Sequence, residues 1–190
     1  MLRMQAISVK SGQVVFKQGD AGDYYYVVKR GRFNISRKET HGKVKLLEEL
    51  HAGSVFGAES LISGRAREVS VVAMSDGTLM RLSRQDFAEL LKAPLLTFVS
   101  GAEVQQMLRN GVGLLDVRGK DQYQAGALRG SANLPFTELR SSLRQLDRKR
   151  KDILCCNTGV QSEVAAFLLA EKGFDVYVLK GGLQAAQKGV

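Results

Sequence analysis

The hydrophobic pattern of the chain changes its period once, close to Pro94. Before that point, short β-type runs at 13–16, 24–28, 32–36, 44–47, 69–73 and 78–82 alternate with turn residues, the spacing of an all-β sandwich or barrel. Gly12, Gly19, Gly22, Gly31, Gly42, Gly53 and Gly77 punctuate these runs and are expected to supply the backbone angles of tight hairpins. A helix with Phe87, Leu90 and Leu91 on one face is expected to close this half, and Pro94 to end it.

After Pro94, strands alternate with amphipathic helices, the pattern of a parallel sheet covered on both faces. The spacing predicts strands at 95–99, 113–117, 153–156 and 176–179. Ser100 and Glu103 read as a capping box for a helix reaching about Leu108, and Gly111 breaks the chain before the next strand. Further helices are predicted over 138–146 and 162–172, the latter stopped by Gly173. The resulting division is 1–92 and 95–190, and domains of about 100 residues still bury a usable core.

Hydrophobic residues at 44% and charged residues at 25% argue against long disorder. The longest apolar stretches, such as 164–170, fall short of a bilayer span, and Met1 is followed by no signal-peptide core. A cytoplasmic protein with no membrane partner is expected. Cys155 and Cys156 are adjacent and cannot build an ordinary disulfide framework, which fits a reducing compartment. The net charge of +9 could answer to nucleic acid, but the positive residues are spread over both halves rather than along one helix. Nucleic acid is therefore not expected, and a small anion accounts for the charge equally well. The cluster 148–151, flanked by Asp147 and Asp152, reads as a solvated loop.

In an α/β sheet, ligands bind beyond the carboxyl ends of the strands, which here selects the loop Cys156-Asn157-Thr158-Gly159-Val160-Gln161. A thiolate at its first position would face loop amides and the positive end of the next helix, both of which favour a nucleophile. The alternative is an inert cysteine packed at a strand end; Cys155 is read as a core residue.

Across nearly all of 95–190 the sequence resembles the rhodanese family. The likeness rests on Leu114-Leu115-Asp116-Val117-Arg118, on Gly126 and Gly130 leading to Ala132-Asn133-Leu134-Pro135, on the cysteine loop, and on Lys180-Gly181-Gly182. It implies that Cys156 accepts a sulfane sulfur, that the amides of Asn157, Thr158, Gly159, Val160 and Gln161 cradle the persulfide, and that Asp116 and Arg118 help wall the site. The partners it implies are a small-molecule sulfur donor and a thiol acceptor. Gln161 stands where the family commonly has a basic residue and Ala127 where a histidine is frequent. A neutral amide replaces the bidentate charge an arginine would offer an anionic donor such as thiosulfate.

Residues 7–94 resemble the cyclic-nucleotide-binding domain of the catabolite activator and kinase regulatory subunit type. The matching pieces are 12–16, Gly19-Asp20-Ala21-Gly22-Asp23, 26–31 and above all 53–73, where Phe56-Gly57 opens a helical turn and Arg67 follows at the family's spacing for its phosphate-binding arginine. Amides around Glu59 and Ser60 are expected to form an anion site with Arg67 as counter-charge. Ala58 replaces the glutamate that would hold the ribose 2′-hydroxyl, Glu59 stands one place along, and Glu68 puts a second anion beside the arginine. The alternative is a barrel kept for packing or dimerisation, with Arg67 paired to Glu68 or Glu59. The helix expected before the barrel is missing, which would make the chain the C-terminal part of a longer protein.

The combined expectation is an all-β double-stranded β-helix or jelly-roll barrel with a closing helix, followed by an α/β rhodanese-like parallel sheet. In function this is a regulatory sulfurtransferase with a degenerate sensor, no required cofactor or metal, and a cyclic nucleotide or another small anion as the ligand the barrel could take. A homodimer is compatible with it. The competing expectation is a non-enzymatic binding module with both sites inactive.

Overall fold

The computed structural model describes residues 3–188, and the chain divides into two compact units, Met1–Leu91 and Lys92–Val190.

In the first unit eight strands, β1 (Gln5–Val9), β2 (Val14–Phe16), β3 (Tyr24–Arg30), β4 (Phe33–Lys38), β5 (Val44–Leu50), β6 (Val55–Phe56), β7 (Ser70–Ala73) and β8 (Gly77–Ser83), form two antiparallel sheets. Their orders are β1-β8-β3-β6 and β2-β7-β4-β5. The period-2 alternation does the sorting: in β4, Phe33 and Ile35 are buried while Asn34 and Ser36 are half-buried. The core they join contains Phe16, Tyr26, Val28, Leu50, Phe56, Val71 and Leu79. Tyr26 and Phe56 stack with ring centroids 5.0 Å apart. Helix α1 (Ala58–Ser63) crosses between β6 and β7, and α2 (Arg84–Phe87) follows β8 with Ser83 as its N-cap.

Several expectations for this unit need correction. The strands β1 and β6 are additions: β1 is mostly exposed on its way to Val9, and β6 has only two residues. Gly22 and Gly77 do not have positive φ; they are needed for close approach, since a Cβ would lie 2.3 Å from Ser60 Oγ or 2.5 Å from the Arg30 carbonyl. The closing helix does not hold one face through Leu91. A π-helical turn at Ala88–Lys92 follows α2, so Phe87 is buried while Leu90 is exposed. Pro94 does not end the helix but lies in the first turn of α3 (Ala93–Leu95), where its missing N–H costs nothing.

The second unit holds β9 (Thr97–Val99), α4 (Gly101–Arg109), β10 (Gly113–Asp116), α5 (Lys120–Gln124), β11 (Ala132–Asn133), α6 (Leu139–Ser142), β12 (Asp152–Cys155), α7 (Val160–Ala170), β13 (Val176–Leu179) and α8 (Gly182–Lys188). The five strands are parallel in the order β11-β10-β12-β13-β9. Every residue of β12 is buried, as a central parallel strand requires. The core includes Val99, Val104, Leu114, Ile153, Cys155 and Leu179. The Ser100–Glu103 capping box forms in both directions at the start of α4.

Here too the details shift. The strand expected from residue 95 begins at Thr97, because Leu95 belongs to α3. The helix expected over 138–146 is a 3-10 turn at Phe136–Glu138 followed by the four residues of α6. Helix α7 starts at Val160 rather than Ser162, and Cys156 stands one residue beyond β12. Helices α5 and α8 and strand β11 were not anticipated.

Candidate functional site

The connection from β10 leads outward to β11 and that from β12 leads outward to β13, so the carboxyl ends of β10 and β12 flank a topological switch point. Asp116 ends β10 opposite Cys155, and Cys156 follows one step on. Both cysteines are buried and free, with Cys156 2% exposed. Burial pushes the Cys155 thiol up to about 12, which keeps it protonated at neutral pH.

The Cys156 sulfur lies inside the turn. The Ser162 amide donates to Sγ at 3.3 Å, the Ser162 hydroxyl stands 3.5 Å from Sγ, and that hydroxyl reaches the Gly159 carbonyl at 2.9 Å. Gly159 has φ 89°, which a residue with a side chain rarely adopts, and this lets the loop turn directly into α7. The loop uses its carbonyls for anchorage: those of Cys156 and Asn157 accept from the amides of Leu183 and Gln184 at 2.9 and 3.0 Å. Gly182 makes that approach possible, because a Cβ there would lie 2.4 Å from the Cys156 carbonyl and 2.4 Å from the Gly159 nitrogen. Among the described residues no carbonyl accepts from the amides of Asn157, Thr158, Gly159, Val160 or Gln161.

Asp116 is fully buried and is bound by Arg118 rather than exposed to the loop. The Arg118 Nε donates to both carboxylate oxygens at 3.0 Å and Nη2 donates to Oδ2 at 2.6 Å. Hydrogen bonding to Asp116 holds the Arg118 guanidinium above its ordinary pKa. Arg118 also donates to the Gly126 carbonyl at 2.8 Å and to Asn157 Oδ1 at 2.9 Å, so it is Arg118 that ties β10 to the cysteine loop. Cys156, Asn157 and Gly159 are thus brought into one network, and Asp116 reaches it only through Arg118. Val160 and Gln161 lie half-buried in the first turn of α7, and Thr158 is exposed. A depression of about 250 Å³ opens beside the loop, with Thr158, Gly159 and Val160 on one side and Phe98, Val178 and Lys180 on the other. Sequence reasoning does not assign Ser162 or the α8 amides to the site: Ser162 reads as a helix start, and Lys180-Gly181-Gly182 is the signal for the α8 amides.

In the barrel, Phe56 is a core aromatic and Gly57, with φ 92°, turns β6 into α1. Arg67 does not reach outward. It is 3% exposed, donating from Nη1 to the Gly57 carbonyl at 2.7 Å and from Nη2 to the Tyr24 carbonyl at 2.7 Å. Its guanidinium also lies 4.2 Å over the Phe16 ring. Its hydrogen-bonded carboxylate is Asp23, at 3.2 Å, and not Glu68 or Glu59. Burial lowers the Arg67 pKa, and the Asp23 hydrogen bond opposes that shift. Glu68 is exposed and Glu59 half-buried. Ser60 Oγ and Arg67 Nε are buried with no hydrogen-bond partner among the described residues.

No group of three or more His, Cys, Asp or Glu side chains among the described residues is placed to hold a metal, and no helix of the described residues is long and apolar enough to cross a membrane.

Comparison with known proteins places both halves. Residues 6–93 match the cyclic nucleotide-binding domain and residues 100–188 the rhodanese-like domain. Similar curated proteins include a cGMP-dependent protein kinase of Plasmodium berghei, 36% identical over 89 residues that cover 47% of this chain and 10% of the kinase. The cyclic AMP receptor protein of Thermus thermophilus is 33% identical over 99 residues, covering 52% of this chain and 46% of that protein. Among solved structures, the regulatory subunit of a cAMP-independent protein kinase A from Trypanosoma brucei aligns with a TM-score of 0.45 at 20% identity, over 47% of this chain and 33% of that one. The chain spans at most about half the length of these relatives. It is a cyclic nucleotide-binding domain followed by a rhodanese-like domain.

Proposed function

We propose that the rhodanese-like domain is a sulfurtransferase that carries sulfane sulfur as a persulfide on Cys156, and that the barrel is its regulatory domain with a degenerate nucleotide site. The observation that carries the first part is the Ser162 amide 3.3 Å from Cys156 Sγ, in a loop whose own amides remain unspent. Anionic sulfur in that turn meets N–H donors and the start of the eleven-residue α7. In the reaction the thiolate attacks the sulfane sulfur of a donor such as thiosulfate, and the donor's S–S bond breaks with its electron pair leaving on sulfite. An acceptor thiolate then takes the outer sulfur of the persulfide and restores the Cys156 thiolate. The 2% exposure of Cys156 favours the competing reading, a binding module without chemistry. Cyanolysis of protein incubated with thiosulfate separates the two. Labile sulfur should be recovered from the native chain and from Cys155→Ser, and not from Cys156→Ser. Gln161→Arg should raise turnover with thiosulfate, since a fixed cation would then face the anionic donor. No labile sulfur on the native chain under any donor would leave the binding module as the answer.

Degeneracy of the barrel site is supported by Ala58, whose buried position holds no carboxylate, and by Arg67, whose Nη atoms are committed to protein carbonyls. A ribose hydroxyl without its charged partner loses about 1.5–3 kcal/mol, roughly tenfold to a hundredfold in affinity. Repulsion from Glu68 is a smaller part than the sequence implies, because that side chain is exposed and solvent screens it. Calorimetric titration with cyclic AMP and cyclic GMP should give weak or no binding by the native chain and tighter binding by Ala58→Glu. Micromolar or tighter binding by the native chain would mean that the unpartnered Ser60 Oγ and Arg67 Nε complete a working site.

A further inference from the structure

Ser162 meets the Cys156 sulfur with two groups of different freedom. Its amide, fixed in the first turn of α7, donates to Sγ at 3.3 Å, while its hydroxyl stands 3.5 Å from Sγ and 2.9 Å from the Gly159 carbonyl. A hydroxyl has a single proton to donate, so it serves one of these two acceptors at a time. Ser162 is 0% and Cys156 2% exposed, which places that choice away from solvent.

With Cys156 as a thiol the protons run in series: the S–H donates to the Ser162 oxygen and the Ser162 hydroxyl donates to the Gly159 carbonyl. Once Sγ carries negative charge it has no proton to give, and the hydroxyl gains by turning to it, because a hydrogen bond to an ionised acceptor is roughly twice as strong as a neutral one. That turn strands nothing. The Gly159 carbonyl still accepts from the Glu163 amide at 2.9 Å. The hydroxyl is a donor that can follow charge, and the amide is one that cannot.

We propose that Ser162 is a catalytic residue of sulfur delivery, its hydroxyl turning from Gly159 to Sγ as the Cys156 thiolate departs; the inference rests on the sulfurtransferase reading above. In delivery the acceptor thiolate bonds to the outer sulfur, the bond between that sulfur and Sγ breaks, and its electron pair stays on Sγ. The acceptor leaves as the new persulfide anion, so charge balances and no oxidant or reductant enters. Loading runs the other way: charge leaves Sγ as the thiolate attacks, and the hydroxyl's bond to it is given up. Ser162 therefore speeds release of sulfur more than its capture.

A mixed disulfide tests this apart from persulfide chemistry. In a Cys155→Ala background of the full chain, methyl methanethiosulfonate attaches a methylthio group to Cys156, and dithiothreitol then attacks the methyl-bearing sulfur and expels the Cys156 thiolate. Adding Ser162→Ala should slow that release roughly tenfold, while attachment, taken on its alkaline plateau, stays as fast or becomes faster. A loosened loop would instead speed both steps. Equal release rates, or rates that change together, would overturn the assignment, and a Cys156 that takes no methylthio group would overturn it along with the sulfurtransferase reading. Persulfide formed from thiosulfate should discharge to cyanide with the same roughly tenfold difference. Absence of labile sulfur beside a tenfold effect on the mixed disulfide would overturn the sulfurtransferase reading alone.

Discussion

Replacing Gly182 with alanine tests whether the α8 amides really hold the cysteine loop in place. Gly182 has φ 66°, and a Cβ would lie 2.4 Å from the Cys156 carbonyl, 2.4 Å from the Gly159 nitrogen and 2.6 Å from the Asn157 carbonyl. All three are backbone atoms, so no side chain can swing aside. The left-handed conformation alone costs about 1–2 kcal/mol for a residue with a Cβ. Relieving the overlap must also lengthen the bonds from Leu183 to Cys156 and from Gln184 to Asn157, worth about 0.5–1.5 kcal/mol each. The sum is roughly 2–5 kcal/mol. Gly111→Ala is the matched control: its φ is 84°, but nothing lies within 4 Å of its Cβ position, so only the conformational part of about 1–2 kcal/mol applies. The chain has no tryptophan, and the buried Cys155 thiol is a local reporter instead. Pulsed alkylation of Cys155 across a urea series should give a midpoint for Gly182→Ala well below that of Gly111→Ala. Equal midpoints would refute the anchoring role of α8.

Two further expectations concern charge. Asp116→Ala should cost about 3–5 kcal/mol, because it leaves the 6% exposed Arg118 without its carboxylate; the pair Asp116→Leu with Arg118→Met should cost less in urea denaturation, and a single variant within 1 kcal/mol of native would contradict the network. Cys155 has its folded pKa raised from 9.0 to about 12, so the folded state holds that proton more tightly than the unfolded chain. Its contribution, roughly 4 kcal/mol, is complete below about pH 9 and lost as pH climbs toward 12. The alkaline fall in stability should therefore be shallower in Cys155→Ala than in the native chain, and parallel curves would count against that burial effect.

What the sequence discloses is set by how far apart the interacting residues lie. The capping box at Ser100 and Glu103, the alternation in β4 and the unbroken apolar run of β12 are decided within a few residues, and each is readable by eye. β6 has no such internal signal; two residues become a strand only because Tyr26 and Val27 pair with them. α8 is similar. Its two glycines look like a turn, and their value lies in letting Leu183 and Gln184 reach the Cys156 and Asn157 carbonyls. The candidate site follows the same rule. The position of Cys156 after a buried strand and before a helix could be read locally, but its sulfur's partner, Ser162, was read as the start of α7 and not as part of the loop. Arg67 could be placed by spacing, yet its direction is fixed by the Tyr24 carbonyl 43 residues away and the Phe16 ring. Arg118 reaches Asn157 across 39 residues. Sequence pattern therefore locates a loop cysteine and an arginine, while contacts made at long range decide whether the first is held in a donor-rich turn and the second is turned inward. That difference explains why the fold class was easier to read than the state of either site.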